Sequence, residues 1–183
     1  MNFIRDLFRE GRIDVRSYER LKKVINHLED SNYKCIEIIG RGSYGFVMKV
    51  QHIRTGEERA VKVVCKDRTS VGEIQIWPSL NHKNILRLLF CECYAESYLF
   101  YTDIHPCTVE EEVVERILTD EPGEFDEASN WLKDIVDGVR YLHDQDLAHL
   151  DIKSNNVLIS KDRKAILMDF GFITSTKKPI DRY

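Results

Sequence analysis

A short polar loop in the last third of the chain combines residue types that could handle a phosphorylated substrate. Asp151, Lys153 and Asn156 lie within six residues of one another. A carboxylate can act as a base beside a hydroxyl, an ammonium can neutralise a phosphate, and an amide oxygen can bind a metal ion. Asp169-Phe170-Gly171 adds a second carboxylate thirteen residues after Asn156. Taken alone, each of these loops could equally be an ordinary polar turn.

A glycine-rich turn lies upstream, between two strand-like runs: Gly40-Arg41-Gly42-Ser43-Tyr44-Gly45-Phe46-Val47. Because glycine has no Cβ, the backbone N–H groups of such a turn can approach phosphate oxygens closely. A dinucleotide-binding fold would need a helix directly after the turn. Here a strand-like run follows instead, which favours a β-hairpin flap over a nucleotide.

A single lysine, Lys62, interrupts an apolar strand-like run over Arg59–Cys65. The ordinary interpretation is a side chain on an edge strand that reaches out to solvent. An inward-facing ammonium would instead need an anion and a carboxylate to offset its desolvation. Glu73 could be that carboxylate, although it could also close a local capping box with Ser70.

Composition limits the classes of protein that the chain can belong to. An apolar content of 43% and a charged content of 32% over 183 residues are typical of a globular protein with a buried core. The net charge of −4, without a long basic stripe, argues against nucleic-acid binding. No apolar stretch is long enough to cross a membrane. Five cysteines without a CxxC pair predict reduced thiols in an intracellular protein, cytoplasmic or nuclear.

The pattern of apolar residues predicts three regions. Residues 1–32 form a helical N-terminal extension, which could pack on the domain or serve as a docking or regulatory segment. Residues 33–102 contain five strands and one helix that begins at Ser70, and residues 103–183 are mainly helical. The predicted strands of the middle region are Cys35–Ile39, Phe46–His52, Arg59–Cys65, Leu86–Cys93 and Ser97–Thr102. The last region has predicted helices at Thr108–Leu118 and Asp126–Gln145 and strands at Val157–Ile159 and Ala165–Met168.

The order of these signals resembles the eukaryotic-type protein kinase family from about Tyr33 onward. A glycine flap, a strand lysine, a helix glutamate, the Asp151 loop and Asp-Phe-Gly follow one another as in that family. Lys153 after the aspartate is similar to the serine/threonine branch. The resemblance implies an α+β fold with a small β-rich N-lobe, a hinge and a partial helical C-lobe. It also implies ATP and Mg²⁺ between the lobes and a protein serine or threonine as the phosphate acceptor.

The resemblance assigns a role to each site residue. Asp151 would accept or orient the proton of the substrate hydroxyl, Lys153 would neutralise the γ-phosphate, and Asn156 and Asp169 would hold Mg²⁺. Tyr101 would border the back of the nucleotide pocket. Trp77, His149 and Phe170 could stack as an internal column or be ordinary core. The nucleotide itself would be bound by Ile39, Gly40, Arg41, Gly42, Ser43, Tyr44, Gly45, Phe46, Val47, Ala60, Lys62, Glu73, Thr102, Ile104 and Leu158.

The sequence departs from the family in three places. The gap from Lys62 to Glu73 is short for the family, and Pro78 shortens the helix that carries Glu73 further. Leu150 stands where most members have arginine, so a phosphorylated activation loop would lack its usual cationic partner. The chain ends at Tyr183, twelve residues past Gly171, without an Ala-Pro-Glu motif. It is therefore expected to be either a fragment of a longer kinase or a short kinase-like protein. The alternative to an enzyme is a kinase-like binding protein, a pseudokinase or decoy, that regulates another kinase.

Overall fold

A computed structural model describes residues 2–42, 45–121 and 123–177. Ser43 and Tyr44, both predicted to bind nucleotide, lie outside the described residues. The contacts divide the chain into two units: 1–69 with 88–104, and 70–87 with 105–183. The first unit contains a five-stranded sheet and two helices, and the second is mainly helical with short strands. The α+β class is therefore confirmed, whereas the bounds of the three predicted regions stay a prediction.

The first unit is built on an antiparallel sheet with the strand order β1-β2-β3-β5-β4. All five predicted strands are present, within a few residues of their predicted bounds. They are β1 (Tyr33–Gly42), β2 (Gly45–His52), β3 (Glu58–Cys65), β4 (Leu88–Tyr94) and β5 (Ser97–Thr102).

The register of β2, β3 and β5 sorts their side chains onto two faces, because successive residues of a strand point to opposite sides. Val61 pairs with Met48 and Tyr101, whereas Lys62 pairs with Val47 and Phe100. We call the side of Val61 the covered face and the side of Lys62 the lysine face. The covered face includes Phe46, Met48, Val50, Val61, Val63, Leu99 and Tyr101, each no more than 5% exposed.

Two N-terminal helices, α1 (Asn2–Arg9) and α2 (Val15–Asp30), cover that face. The Asp14 carboxylate caps α2 by accepting a hydrogen bond of 2.6 Å from the Ser17 N–H. The apolar side of α2 then packs on the sheet, with Leu21, Val24, Ile25 and Leu28 no more than 1% exposed. Of the two interpretations of residues 1–32, packing on the domain is thus the one that the contacts support.

The second unit contains two longer helices, α3 (Val109–Thr119) and α4 (Phe125–His143). Thr108 and Glu111 form a capping box at the start of α3. The helix predicted from Ser70 is short, as expected: a single π-helical turn over Gly72–Ile76 runs directly into a 3₁₀ turn at Trp77–Ser79. Pro78 lies in that 3₁₀ turn, where it ends the helix.

Short strands in the second unit position the polar loops. A three-stranded sheet has the order β6-β8-β9, and β7 pairs with β10. The strands are β6 (Cys107–Thr108), β7 (Leu147–Ala148), β8 (Val157–Ile159), β9 (Ala165–Leu167) and β10 (Thr174–Ser175). Buried Asp134 of α4 accepts the Ala165 N–H at 3.1 Å, and Asn84 donates to the Ala165 carbonyl at 2.8 Å. These bonds fix β9, and therefore the start of the Asp169 loop.

Among the described residues, every helix is too short or too polar to span a lipid bilayer.

Candidate active site

The loop after β7 brings together the three polar residues that the sequence singled out. Asp151 Oδ2 accepts hydrogen bonds from Lys153 Nζ at 2.9 Å and from Asn156 Nδ2 at 2.8 Å. The same amide nitrogen also donates to the Asp151 carbonyl, at 2.9 Å. Asn156 is 5% exposed and sits in a 3₁₀ turn directly before β8. Because both bonds use Nδ2, the amide oxygen of Asn156 is turned away from Asp151.

The hydrogen bond from Lys153 is the main reason why the pKa of Asp151 is lowered. The bond from Asn156 lowers this pKa further, against the opposing effect of partial burial. Asp151 is therefore an anion at neutral pH. An anionic carboxylate with a fixed orientation can accept a hydrogen bond from an incoming hydroxyl.

His149 supports this loop as a neutral imidazole. Its Nε2 lies 3.0 Å from the Met168 carbonyl oxygen, and its Nδ1 lies 3.3 Å from the Asp151 N–H. A carbonyl can only accept, so Nε2 carries the proton, and Nδ1 is then free to accept from Asp151. Burial lowers the pKa of His149, in agreement with this tautomer. The imidazole thus connects the Asp151 loop to the residue before Asp169.

The two predicted metal ligands are linked through the backbone. The Met168 N–H donates to the Asn156 carbonyl at 3.0 Å, and Asp169 follows directly. Asp169 and Leu150 both adopt a left-handed conformation with φ of 64°. Such φ values are uncommon for residues other than glycine. They also occur at Asn32, Ala95, Asp120, Asp146 and Arg163, so they do not by themselves mark a functional site. The Asp169 loop and the Asp151 loop therefore each contain one strained residue.

Three aromatic side chains, for which the sequence left open an internal column or ordinary core packing, lie in a row. The ring of Phe170 lies 5.6 Å from the ring of Trp77 and 5.4 Å from the ring of His149, measured between centroids. Phe170 is completely buried, and Trp77 Nε1 donates to the Leu86 carbonyl at 2.7 Å. The same residues are also core, so the two interpretations of the row are compatible.

Gly72 makes a close contact that the sequence did not predict. A Cβ at this position would lie 2.5 Å from Ile173 Cγ2 and 2.6 Å from the Phe170 carbonyl oxygen. The first helical turn after Ser70 therefore packs backbone to backbone against the segment that follows Asp169. In the sequence, a glycine at this position indicates only a low helix propensity. It gives no information about which distant residues lie against it.

Glu73 forms the capping box that was one of its two predicted roles. Its N–H donates to Ser70 Oγ at 3.0 Å, and its Oε2 accepts the Ser70 N–H at 3.2 Å. The side chain is 2% exposed. The capping role is therefore confirmed, and the nucleotide-related role of Glu73 stays a prediction.

In the first unit, four predicted nucleotide-binding residues share the lysine face of the sheet. Val47 pairs with Lys62, and Ala60, two residues before Lys62, pairs with Thr102. Next to them, a Cβ at Gly45 would collide with the Val63 carbonyl oxygen, so only glycine fits at the start of β2. Lys49, which pairs with Ala60 and forms an ion pair with Glu58 at 2.9 Å, lies on the same face. Apolar side chains beside an ammonium are suited to a flat, apolar base that carries anionic phosphates.

Two aromatic residues lie on the opposite, covered face. Tyr101 pairs with Val61 and packs in the core beneath α2, so the prediction that it borders the back of the nucleotide pocket is wrong. The Tyr101 hydroxyl donates to Glu92 at 2.5 Å, and burial raises its pKa. Phe46, predicted to bind nucleotide, also has its side chain in this core. Thr102, the next residue of β5 after Tyr101, lies on the lysine face instead.

The remaining predicted residues occupy strand ends and loops. Ile39 lies at a register shift in β1 and is 42% exposed, and the segment from Gly40 to Gly42 completes that strand. Ile104 follows β5 and is half-buried. Leu158, the middle residue of β8, is half-buried between the buried Val157 and Ile159.

The donor set in the second unit is suitable for Mg²⁺. The Asn156 amide oxygen and the Asp169 carboxylate are hard oxygen ligands, which this ion prefers. Within the part of the chain that the structure describes, no three His, Cys, Asp or Glu side chains are grouped as a metal site. Mg²⁺ often binds one or two carboxylates and completes its shell with water and substrate phosphates, so two protein oxygens fit such a site.

Comparison with known proteins defines the class. The chain matches the protein kinase domain family over residues 33–182, and it therefore belongs to this family. The resemblance to the serine/threonine branch of eukaryotic-type protein kinases is thereby confirmed.

Individual relatives share about 30% identity with the chain. Cell division control protein 2 homolog 1 of Trypanosoma brucei brucei is 30% identical over 162 residues, which are 84% of this chain and 52% of the relative. Serine/threonine-protein kinase PLK4 of Xenopus laevis is 31% identical over 83% of this chain and 17% of the relative. Maternal embryonic leucine zipper kinase of Xenopus tropicalis is 30% identical over 91% of this chain and 25% of the relative. The chain thus spans about half the length of these relatives, or less.

Proposed function

We propose that this chain carries the nucleotide-binding and phosphoryl-transfer residues of a serine/threonine protein kinase. The reaction would move the γ-phosphate of ATP to a serine or threonine hydroxyl of a protein. Membership of the protein kinase domain family supports the class of reaction. The hydrogen-bonded group of Asp151, Lys153 and Asn156 is the observation that carries the proposal.

The proposed role of Asp151 follows from its charge and its partners. The carboxylate would accept a hydrogen bond from the substrate hydroxyl and so direct the oxygen towards the phosphorus atom. Lys153, already 2.9 Å from Asp151 Oδ2, would stabilise the negative charge that develops on the transferred phosphoryl group. Both roles are of the kind that phosphoryl transfer needs, because this reaction depends mainly on positioning and electrostatics.

Nucleotide binding would use residues from the strands and from the Asp169 loop. Val47, Ala60 and Thr102 offer a surface for the base, and Lys62 on the same face offers a cation for the phosphates. Asn156 and Asp169 would hold Mg²⁺. The ion would neutralise part of the negative charge of the phosphates.

The full set of residues proposed for nucleotide binding is the one that the family resemblance implied. Its further members are Ile39, Gly40, Arg41, Gly42, Ser43, Tyr44, Gly45, Phe46, Glu73, Ile104 and Leu158. For Phe46 we propose a backbone contribution only, since its side chain packs in the covered core.

A phosphate-transfer assay with Asp151→Asn tests the proposal. The purified chain, incubated with labelled ATP, Mg²⁺ and a mixture of serine- and threonine-containing peptides, should phosphorylate peptide or itself. Asp151→Asn should reduce the rate at least about 100-fold, which is the usual contribution of a positioned base. Asp126→Asn is the matched control, because Asp126 lies exposed in the first turn of α4 and should leave the rate unchanged.

The affinity for a fluorescent ATP analogue distinguishes loss of catalysis from loss of fold. It should stay within about twofold of wild type in Asp151→Asn. Binding of the analogue by the wild type without any transfer would contradict the proposal and favour the kinase-like binding protein instead. Equal transfer rates in wild type and Asp151→Asn would remove Asp151 from the mechanism.

An intracellular location, cytoplasmic or nuclear, is part of the proposal. All five cysteines are free thiols, as expected in a reducing compartment. The protein partner would be the substrate that supplies the serine or threonine.

A further inference from the structure

Two cysteines lie exposed on an edge strand of the five-stranded sheet. β4 comes last in the strand order β1-β2-β3-β5-β4 and so forms an edge of the sheet. In β4, Cys91 pairs with Phe100 and Cys93 pairs with Tyr98, and both thiols are exposed. Phe100 also pairs with Lys62, so both cysteines lie on the lysine face. Their side chains therefore point to the same side of the strand.

The strand keeps these two thiols from bonding to each other. Residues two apart on a β-strand have Cα atoms about 6.6 Å apart, and their Cβ atoms project in parallel. A disulfide needs Cβ atoms about 3.5–4.5 Å apart. As long as β4 stays paired with β5, Cys91 and Cys93 can each react only with an external sulfur.

An ammonium lies beside one of the two thiols. Lys66 directly follows β3, and its N–H donates to the carbonyl of Glu96, in the turn between β4 and β5, at 3.0 Å. The Lys66 side chain reaches Cys93, and its hydrogen bond to that sulfur is the main reason why the pKa of Lys66 is raised. The Glu96 carboxylate also pairs with Arg16, at 3.9 Å. An adjacent cation stabilises a thiolate, which is the nucleophilic form of cysteine.

The other three cysteines are in less reactive surroundings. Burial raises the pKa of Cys35 to about 12, and burial also raises the pKa of Cys107. Cys65 is only 5% exposed. A buried thiol, or one held in its neutral form, reacts slowly with disulfides. Exposure together with a neighbouring ammonium therefore distinguishes Cys93.

We propose that Cys93 is a site of reversible thiol–disulfide exchange with glutathione disulfide. The Cys93 thiolate would attack one sulfur of this disulfide, whose S–S bond breaks as a new S–S bond forms to Cys93. The second glutathione leaves as a thiolate and takes up the proton that Cys93 had lost. The glutathione disulfide is itself the oxidant, and excess reduced glutathione reverses the reaction. The proposal uses none of the proposed catalytic residues, so it stands or fails separately from the kinase activity.

Mass spectrometry of the full chain after incubation with excess glutathione disulfide tests the proposal. Samples are quenched with acid at successive times, and the remaining thiols are blocked. Digestion after glutamate then separates Cys91 from Cys93, because Glu92 lies between them. We expect one glutathione per chain, on Cys93, at a rate at least about threefold higher than at Cys91. Excess reduced glutathione should remove it.

Variants of Lys66 test the role of the ammonium. A tenfold rise in the thiolate fraction of a cysteine speeds exchange only about threefold, because a more acidic thiolate is less nucleophilic. Lys66→Met should therefore slow the reaction at Cys93 about threefold and leave Cys91 unchanged, and Lys66→Arg should retain most of the wild-type rate. Lys34→Met is the control of equal charge, because Lys34 lies exposed on β1 of the same unit. Circular dichroism verifies the fold of each variant.

Three outcomes would overturn the proposal. Cys91 could react as fast as Cys93, which would mean that exposure alone sets the rate. Lys66→Met could leave the rate at Cys93 unchanged. Finally, the end product could be a disulfide between Cys91 and Cys93 without bound glutathione, in which case the strand does not hold the two thiols apart.

Discussion

At the scale of single residues, the orientation of one amide limits which groups of the Asp151 loop can bind a metal ion. Asn156 donates from Nδ2 to both the Asp151 carbonyl and its carboxylate, at 2.9 Å and 2.8 Å. An aspartate at this position would retain an oxygen for Mg²⁺ but would place a second negative charge against Asp151. The residue type is therefore determined by its neighbour as well as by the proposed metal ion.

Gly72 leads to a prediction about stability. Alanine is a better helix former than glycine by about 1 kcal/mol. Here, however, the new methyl group would lie 2.5 Å from Ile173 Cγ2 and 2.6 Å from a backbone oxygen, which cannot move aside easily. Overpacking of this kind costs about 1–3 kcal/mol, so Gly72→Ala should lower the free energy of unfolding in urea.

Gly42→Ala is the matched control, because nothing lies within 4 Å of a Cβ at that position. It should change the free energy of unfolding by less than about 0.5 kcal/mol. A Gly72→Ala protein as stable as wild type would contradict the close packing between this turn and the segment after Asp169.

At the scale of elements, the register of the strands decides which residue of β5, Tyr101 or Thr102, lies on the lysine face. The strands themselves and the lysine in β3 are local features, so the sequence could predict them. The pairing of β3 with β5 joins residues about forty positions apart, and no local pattern specifies it. A choice between Tyr101 and Thr102 at the lysine face therefore required the register.

The same limit applies to the turn at Gly72–Ile76. Its capping box is a local signal, and it was one of the two roles predicted for Glu73. Its packing against the Asp169 loop depends on residues about a hundred positions away in the chain. Long-range backbone contacts of this kind leave no signature in composition or periodicity.

The ion pairs that join α3, α4 and Arg163 predict a pH dependence. The Arg163 guanidinium, followed by that of Arg116, lowers the pKa of Glu112 to about 2. A carboxyl with a lowered pKa in the folded state binds fewer protons there than in the unfolded chain. Its stabilisation is therefore complete above its ordinary pKa of about 4.5 and is lost as the pH falls towards 2.

Urea unfolding of wild type and Glu112→Gln at pH 7, 4.5 and 3.5 measures this effect. Wild type should be the more stable protein at pH 7, and the difference should shrink at pH 3.5. Glu115→Gln, on the same helix and exposed, is the control and should follow the wild type at each pH. A difference that does not depend on pH would show that Glu112 contributes by packing and not by charge.

At the scale of the whole molecule, the two faces of the five-stranded sheet have different surroundings. One face carries Lys62 and its neighbours, and the other is sealed by the N-terminal helices. The fold class and most elements could be predicted from the sequence, because family motifs and local periodicity are read residue by residue. The partner of residues 1–32 could not, because an amphipathic helix does not specify which apolar surface it covers.

Leu28→Ala tests the importance of these helices. Leu28 is completely buried in the cluster that α2 shares with the sheet, and truncation of such a residue costs about 2–5 kcal/mol. Hydrogen exchange should become faster at the amides of β2 and β3 as this core opens more often. Lys23→Ala, on the exposed side of the same helix, should leave exchange unchanged. Equal exchange in both variants would mean that the helices are dispensable for the sheet.

The buried contact between α2 and the sheet constrains how the sequence of this protein can change over time. Bulk gained on a strand at Met48 or Tyr101 has to be matched by bulk lost on the helix at Leu21 or Leu28, since the space between them is filled. Grafting the β-strands of a homologue beneath these helices would therefore fail unless both layers were exchanged together. Substitutions in the first thirty residues and in the strands are expected to be inherited as matched pairs.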